Sequence, residues 1–211
     1  MKQDNTTQQK RPSAARKRFL DAARKEFAAK GYAGASIRSI ARSLNMRESA
    51  FYAHFKSKQE AYDAILREAG PDVMAVYVGQ IDASGGPQVE LAKLAQQAMR
   101  AWTSSEVRVS TSILLRDIFG EGGGKRQQLL KGVSSALDVL QAIFEVWQQE
   151  GYVLRKLDAR TLAFQFVAPL VTTRLLFFSA GSSASERKLG QMVVDKHVQG
   201  FLQLLSTEPG T

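Results

Sequence analysis

The stretch from Ser36 to Lys58 constrains this chain most. Ile37, Ile40, Ala41 and Leu44 stand at i, i+3, i+4 and i+7, which gives a short helix one apolar face. Ser36 occupies the N-cap position, where a hydroxyl accepts from an otherwise unpaired amide. Asn45 follows the last periodic residue, and asparagine tolerates the left-handed conformation that ends a helix sharply. Met46, Ala50 and Phe51 then turn a second helix's apolar side onto the first. The other side of that second helix carries Arg47, Glu48, Ser49, Tyr52 and His54, all able to hydrogen-bond. Two short helices at a tight turn, the second displaying polar side chains, form the layout of a DNA-reading helix-turn-helix.

Charge placement supports a polyanionic partner. The chain of 211 residues carries a formal charge of +9, but unevenly. Residues 1–70 hold 15 Lys/Arg against 7 Asp/Glu, whereas residues 71–211 hold 14 against 13. A cationic module on a nearly neutral body is the electrostatic footprint of a nucleic-acid binder. With no cysteine there is neither a disulfide framework nor a thiolate metal site, which suits a reducing cytoplasm. The polar, basic start of the chain lacks the apolar core of a signal peptide. The apolar run Leu162 to Phe178 is broken by Gln165, Pro169, Thr172, Thr173 and Arg174, so it does not read as a membrane span.

Periodicity predicts an all-α chain of about nine helices. Residues 1–11 read as a disordered basic tail and 207–211 as a second tail. Residues 12–56 form the helix-turn-helix domain, opening with a helix from Pro12 to Lys30 that Gly31 stops. Residues 57–206 form a helical body, opened by a fourth helix at Ser57 and continued by helices over about 88–102, 104–119, 125–150, 158–179 and 185–206. Ser57-Lys58-Gln59-Glu60 and Ser183-Ala184-Ser185-Glu186 match the capping box that launches helices. Lys58 in such a first turn opposes the helix dipole at a few tenths of a kcal/mol, and a bound phosphate would remove the conflict. The segment 158–179 is apolar almost all round, and 185–206 has a wide apolar face. That surface exceeds what one domain covers, so a homodimer through these two helices is expected.

Residues 16–65 resemble the TetR family of bacterial transcriptional regulators. Phe27-Ala28-Ala29-Lys30-Gly31-Tyr32 is similar to the end of that family's first helix, and Ser36-Ile37-Arg38-Ser39-Ile40-Ala41 to its T-x-x-x-I-A second helix. Phe51-Tyr52-Ala53-His54-Phe55-Lys56-Ser57-Lys58 is similar to the L-Y-x-H-F-x-S-K signature. The resemblance implies an N-terminal three-helix DNA-binding domain and a C-terminal helical domain for ligand binding and dimerisation. It implies a repressor that leaves a double-stranded operator when a small molecule binds; an activator, or a ligand-independent DNA-binding protein of the same fold, is the alternative. By the same resemblance Ser36, Tyr52, His54 and Lys58 match phosphate contacts. Arg47, Glu48 and Ser49 stand where the recognition helix faces base edges, and Arg38 reaches a phosphate or a base. The chain departs from the family at Arg47, Glu48 and Ser49, where Ser or Thr, then Lys, then Gly are common. Arginine pairs bidentately with guanine, and a carboxylate accepts from cytosine N4, so the departure bears on sequence preference.

No constellation for catalysis appears: Gly-x-Ser-x-Gly, Walker and H-E-x-x-H spacings are all missing, and the reading is not an enzyme, with no cofactor and no metal. His197 and Asp195 are two apart on a helix and face different ways. Gly120 to Gly124 follows a helix rather than a strand and reads as a connector. Trp102, Phe119, Phe144, Trp147, Phe164 and Phe166 are candidates to line an apolar ligand pocket, with Arg116 and Arg174 to orient a charged end; taken singly, each reads first as core or surface. The neutral body leans towards a lipophilic effector.

Overall fold

The computed structural model describes residues 13–69, 76–119 and 126–206, without the side chains of 68–69, 117–119, 126–129 and 206. The predicted tails, the Gly120–Gly124 connector and the side chain of Phe119 lie outside what it describes. The described residues are helical, with no strand among them, as the periodicity predicts. The helices are α1 (Ala14–Gly34), α2 (Ile37–Ser43), α3 (Glu48–Tyr52), α4 (Lys58–Ala69), α5 (Gly86–Trp102), α6 (Ser105–Phe119), α7 (Arg126–Gln149), α8 (Ala159–Phe177) and α9 (Ala184–Ser206), with a 3-10 turn at Ala83–Gly85. The chain divides into two compact units, Met1–Tyr62 and Asp63–Thr211, and the division falls inside α4.

Side-chain caps set where the helices begin. Ser13, Ser36 and Asp158 accept from the third amide inside α1, α2 and α8. Of the two predicted capping boxes the second closes both ways, Ser183 Oγ accepting from Glu186 N at 3.2 Å and Glu186 Oε2 from Ser183 N at 2.7 Å. At the first, Ser57 Oγ accepts from Glu60 N at 3.1 Å, but Glu60 Oε2 accepts from Lys56 N rather than Ser57 N. Gly31 interrupts α1 with φ 70°, which no β-carbon-bearing residue takes cheaply, so the regular helix stops where the sequence marks it.

The N-terminal unit folds around aromatic side chains. Phe19, Phe27, Phe51 and Phe55 are fully buried, with Ile40 and Tyr62 beside them. Phe19 meets Phe51 edge-on at 5.7 Å, and Phe27 meets Tyr62 at 5.1 Å. Each such ring contributes roughly 1.5–3 kcal/mol by leaving water. The partly exposed Lys30–Glu26 ion pair adds about 0–1 kcal/mol, so ring burial dominates this small unit.

In the C-terminal unit α8 packs between α7 and α9, and α5 packs on α9. One cluster joins Leu91, Leu94, Trp102, Leu140, Phe144, Trp147, Phe166, Leu170, Phe178 and Val194. Gly190 lets α9 approach α8 closely, since a β-carbon there would stand 2.6 Å from Phe177 Cβ. Although the 158–179 segment is apolar almost all round, α8 does not bury every side within the single chain. Its buried residues follow one face, while Phe164 and Leu176 are exposed, as are Leu189, Met192, Val193 and Leu204 on α9. Apolar composition alone does not say whether a face meets its own chain or something else.

Candidate nucleic-acid interface

The turn between α2 and α3 is built by the α2 C-terminus. Leu44 ends the helix, Asn45 takes φ 56°, and two backbone bonds close the motif. Asn45 N donates to Arg42 O at 3.0 Å, and Met46 N donates to Ala41 O at 3.0 Å. These are the paired bonds of a Schellman stop, which satisfy carbonyls otherwise orphaned at a helix end. Arg47 then enters α3 in extended conformation with no side-chain cap, because it has no short hydroxyl to accept from the first turn. The helix that follows has only five residues, with Glu48 in its first turn, where the dipole favours a carboxylate.

Arg38, Arg42, Asn45, Met46, Arg47 and Glu48 line one concavity across the two helices. Arg38, Arg42, Arg47 and Glu48 are exposed, so three guanidinium groups and one carboxylate face solvent on a single surface. Arg42 is absent from the motif-based set, although its position one turn beyond Arg38 is the signal that would have found it. Ser49 and Tyr52 are exposed on α3, and Tyr52 meets Phe51 edge-on at 5.9 Å. His54 is half-buried, its ring 5.7 Å from Phe19. Ser36 is exposed and accepts from Ser39 N at 3.1 Å. A hydroxyl that accepts as a cap still has its own O–H to donate.

Lys58 spends two of its three N–H donors within the chain. Its ammonium donates to Tyr32 O at 2.8 Å and Ala35 O at 2.9 Å, and lies 4.4 Å from the centre of the Tyr32 ring. These partners are 23 to 26 residues away in sequence, beyond the reach of any motif reading.

The residues proposed for a ligand pocket separate. Trp102, Phe144 and Trp147 belong to the buried core cluster, and the Trp147 indole N–H donates to Ala83 O at 2.7 Å. Phe166 joins the same cluster, packed against Phe201 and His197. Phe164 and Arg116 are exposed. Arg174 directs Nε and Nη2 to Thr111 Oγ1, both at 3.3 Å. Burial pulls its pKa down to about 10, with Tyr77 opposing that shift slightly. Core filling and pocket lining give the same apolar periodicity, which is why sequence spacing does not distinguish them. Among the described residues no cluster of metal-ligating side chains occurs, and no helix is long and apolar enough to cross a membrane.

Residues 19–65 match the family described as bacterial regulatory proteins, tetR family. The N-terminal unit is a tetR-family domain. The match runs from Phe19 to Ile65 and so contains every residue of the concavity. No curated protein matches the chain. Among solved structures the chain is similar to Salmonella enterica GusR, at 19% identity and TM-score 0.69, covering 92% of this chain and 96% of that one. It is similar to a tetR-family regulatory protein from Rhodococcus RHA1, at 21% identity and TM-score 0.65, covering 93% and 100%. A third similar structure is the fatty acid degradation regulator FadR from Bacillus halodurans, at 14% identity and TM-score 0.65, covering 94% and 100%. These likenesses extend the tetR-type fold beyond residues 19–65 to the described helices that follow, a helix-turn-helix domain and then a helical domain.

Proposed function

We propose that this tetR-family regulator represses transcription by binding a near-palindromic operator as a homodimer, and that a small lipophilic effector releases it. The observation that carries the DNA reading is the single concavity holding Arg38, Arg42 and Arg47 beside Glu48. In this reading residues 12–56 bind DNA and residues 57–206 bind effector and dimerise. Arg47, Glu48 and Ser49 reach base edges, Ser36, Tyr52, His54 and the remaining N–H of Lys58 reach phosphates, and Arg38 and Arg42 flank them. The exposed apolar residues of α8 and α9 support dimerisation, because two copies would cover them symmetrically. Two recognition helices then enter successive major grooves about 34 Å apart. The aromatic core of the C-terminal unit and the likeness to a fatty acid degradation regulator support a lipophilic effector, with Arg174 meeting its polar end. An effector acts only through its different affinity for the DNA-bound and released states.

Selection of duplexes from a random pool tests this directly. The enriched sequence is expected to be a two-fold repeat. Arg47→Ala is expected to lose about 1–3 kcal/mol on that sequence and little on unselected DNA. Equal losses on both would remove Arg47 from base reading, and no enrichment at all would sink the operator hypothesis.

A further inference from the structure

We infer that Lys58 is a positioning residue: two of its three N–H donors tie the start of α4 to the connector that presents α2. The inference rests on the DNA-binding reading above, although one of its two readouts does not require DNA.

The argument begins at two helix ends. Beyond Gly31 the carbonyls of Tyr32 and Ala35 leave the regular course of α1, and no basic residue stands in the last turn of α1. Carbonyls at a helix C-terminus carry partial negative charge and need donors. Lys58 supplies both from 23 and 26 residues away, at 2.9 Å to Ala35 O and 2.8 Å to Tyr32 O. The Tyr32 ring lies 4.4 Å from the same ammonium and adds a cation–π contact. Tyr32 in turn packs on Phe27 at 5.9 Å and on Tyr62 at 4.9 Å, so the connector is held against the buried rings of this unit. Ala35 is buried, and the next residue is Ser36, the cap of α2. Fixing Ala35 therefore fixes where α2 begins, and through it the three-arginine concavity.

The other helix end has an anion of its own. Glu60 Oε2 accepts from Lys56 N at 2.6 Å while Ser57 Oγ accepts from Glu60 N. That carboxylate lies in the first turn of α4, where the dipole favours negative charge. The cost of a lysine at this helix start is thus offset by the α1 carbonyls and the local carboxylate together.

The test compares wild type, Lys58→Met and Lys58→Arg in two measurements on the full chain. The first is affinity for a mixed-sequence duplex at several salt concentrations. A positioning role predicts about tenfold weaker binding by Lys58→Met and recovery by Lys58→Arg, which can again donate to both carbonyls. A phosphate contact without a positioning role predicts a slope shallower by about 0.9 together with unchanged amide exchange, and that pair of results would overturn the inference. The second measurement is amide hydrogen exchange without DNA. The amides of Ser39 and Ile40 are expected to exchange faster in Lys58→Met and normally in Lys58→Arg. Unchanged exchange overturns the inference even if no duplex is bound. A lower melting temperature with unchanged affinity also overturns it, because Lys58 would then support the fold without setting the interface.

Discussion

At the scale of single residues, the turn depends on Asn45. An L-residue in the left-handed region costs about 1–2 kcal/mol, which asparagine and glycine reduce. Asn45→Ala is therefore expected to lower stability by about 1 kcal/mol in urea unfolding, and Asn45→Gly to change it by less. A larger loss for glycine than for alanine would contradict the conformational account. Asn45, Ser36, Ser57 and Glu60 were legible in the sequence because their partners lie within four residues. Lys58 was not, because its partners are carbonyls, which every residue has and no motif marks. Arg42 was legible in principle, and only the family pattern passed over it.

At the scale of elements, helix starts carry most of the positional information. Asp158 caps α8 by accepting from Thr161 N at 2.6 Å, and hydrogen bonds from Thr161, side chain first and backbone second, hold its carboxyl below the ordinary 3.8. A lowered carboxylate pKa contributes stability above the unfolded value and loses it as pH falls through the folded value. Asp158→Ala is accordingly expected to be less stable than wild type at pH 7, with the difference narrowing below about pH 4. Thermal unfolding at pH 7 and pH 3 checks this; a constant difference would exclude the charged cap. Helix positions were predicted to within a few residues: 158–179 was expected and Ala159–Phe177 is found, and 185–206 was expected where Ala184–Ser206 is found. What the pattern left open was the facing of each apolar side. Phe164 and Phe166 sit two residues apart in one helix, one exposed and one buried, with no difference in kind to mark them.

At the scale of the molecule, the exposed residues of α8 and α9 make an assembly prediction. A stable dimer buries roughly 1,200–2,000 Å² in total. Placing charges in that face by Met192→Glu with Leu204→Glu is expected to convert a dimer to a monomer in sedimentation velocity, and to weaken binding to a two-fold operator. A dimer that survives the double substitution would place the interface elsewhere. The two tryptophans of the chain have a different consequence. Trp102 and Trp147 both lie buried in the C-terminal unit, and the N-terminal unit has only tyrosines among its phenol and indole chromophores. Indole emission from the native protein therefore reports on one unit alone, through two rings already shielded from water. Tyr32, Tyr52 and Tyr62 share any phenol signal with Tyr77 and Tyr152 of the C-terminal unit, so it is the C-terminal unit that can be followed by itself without attaching any label.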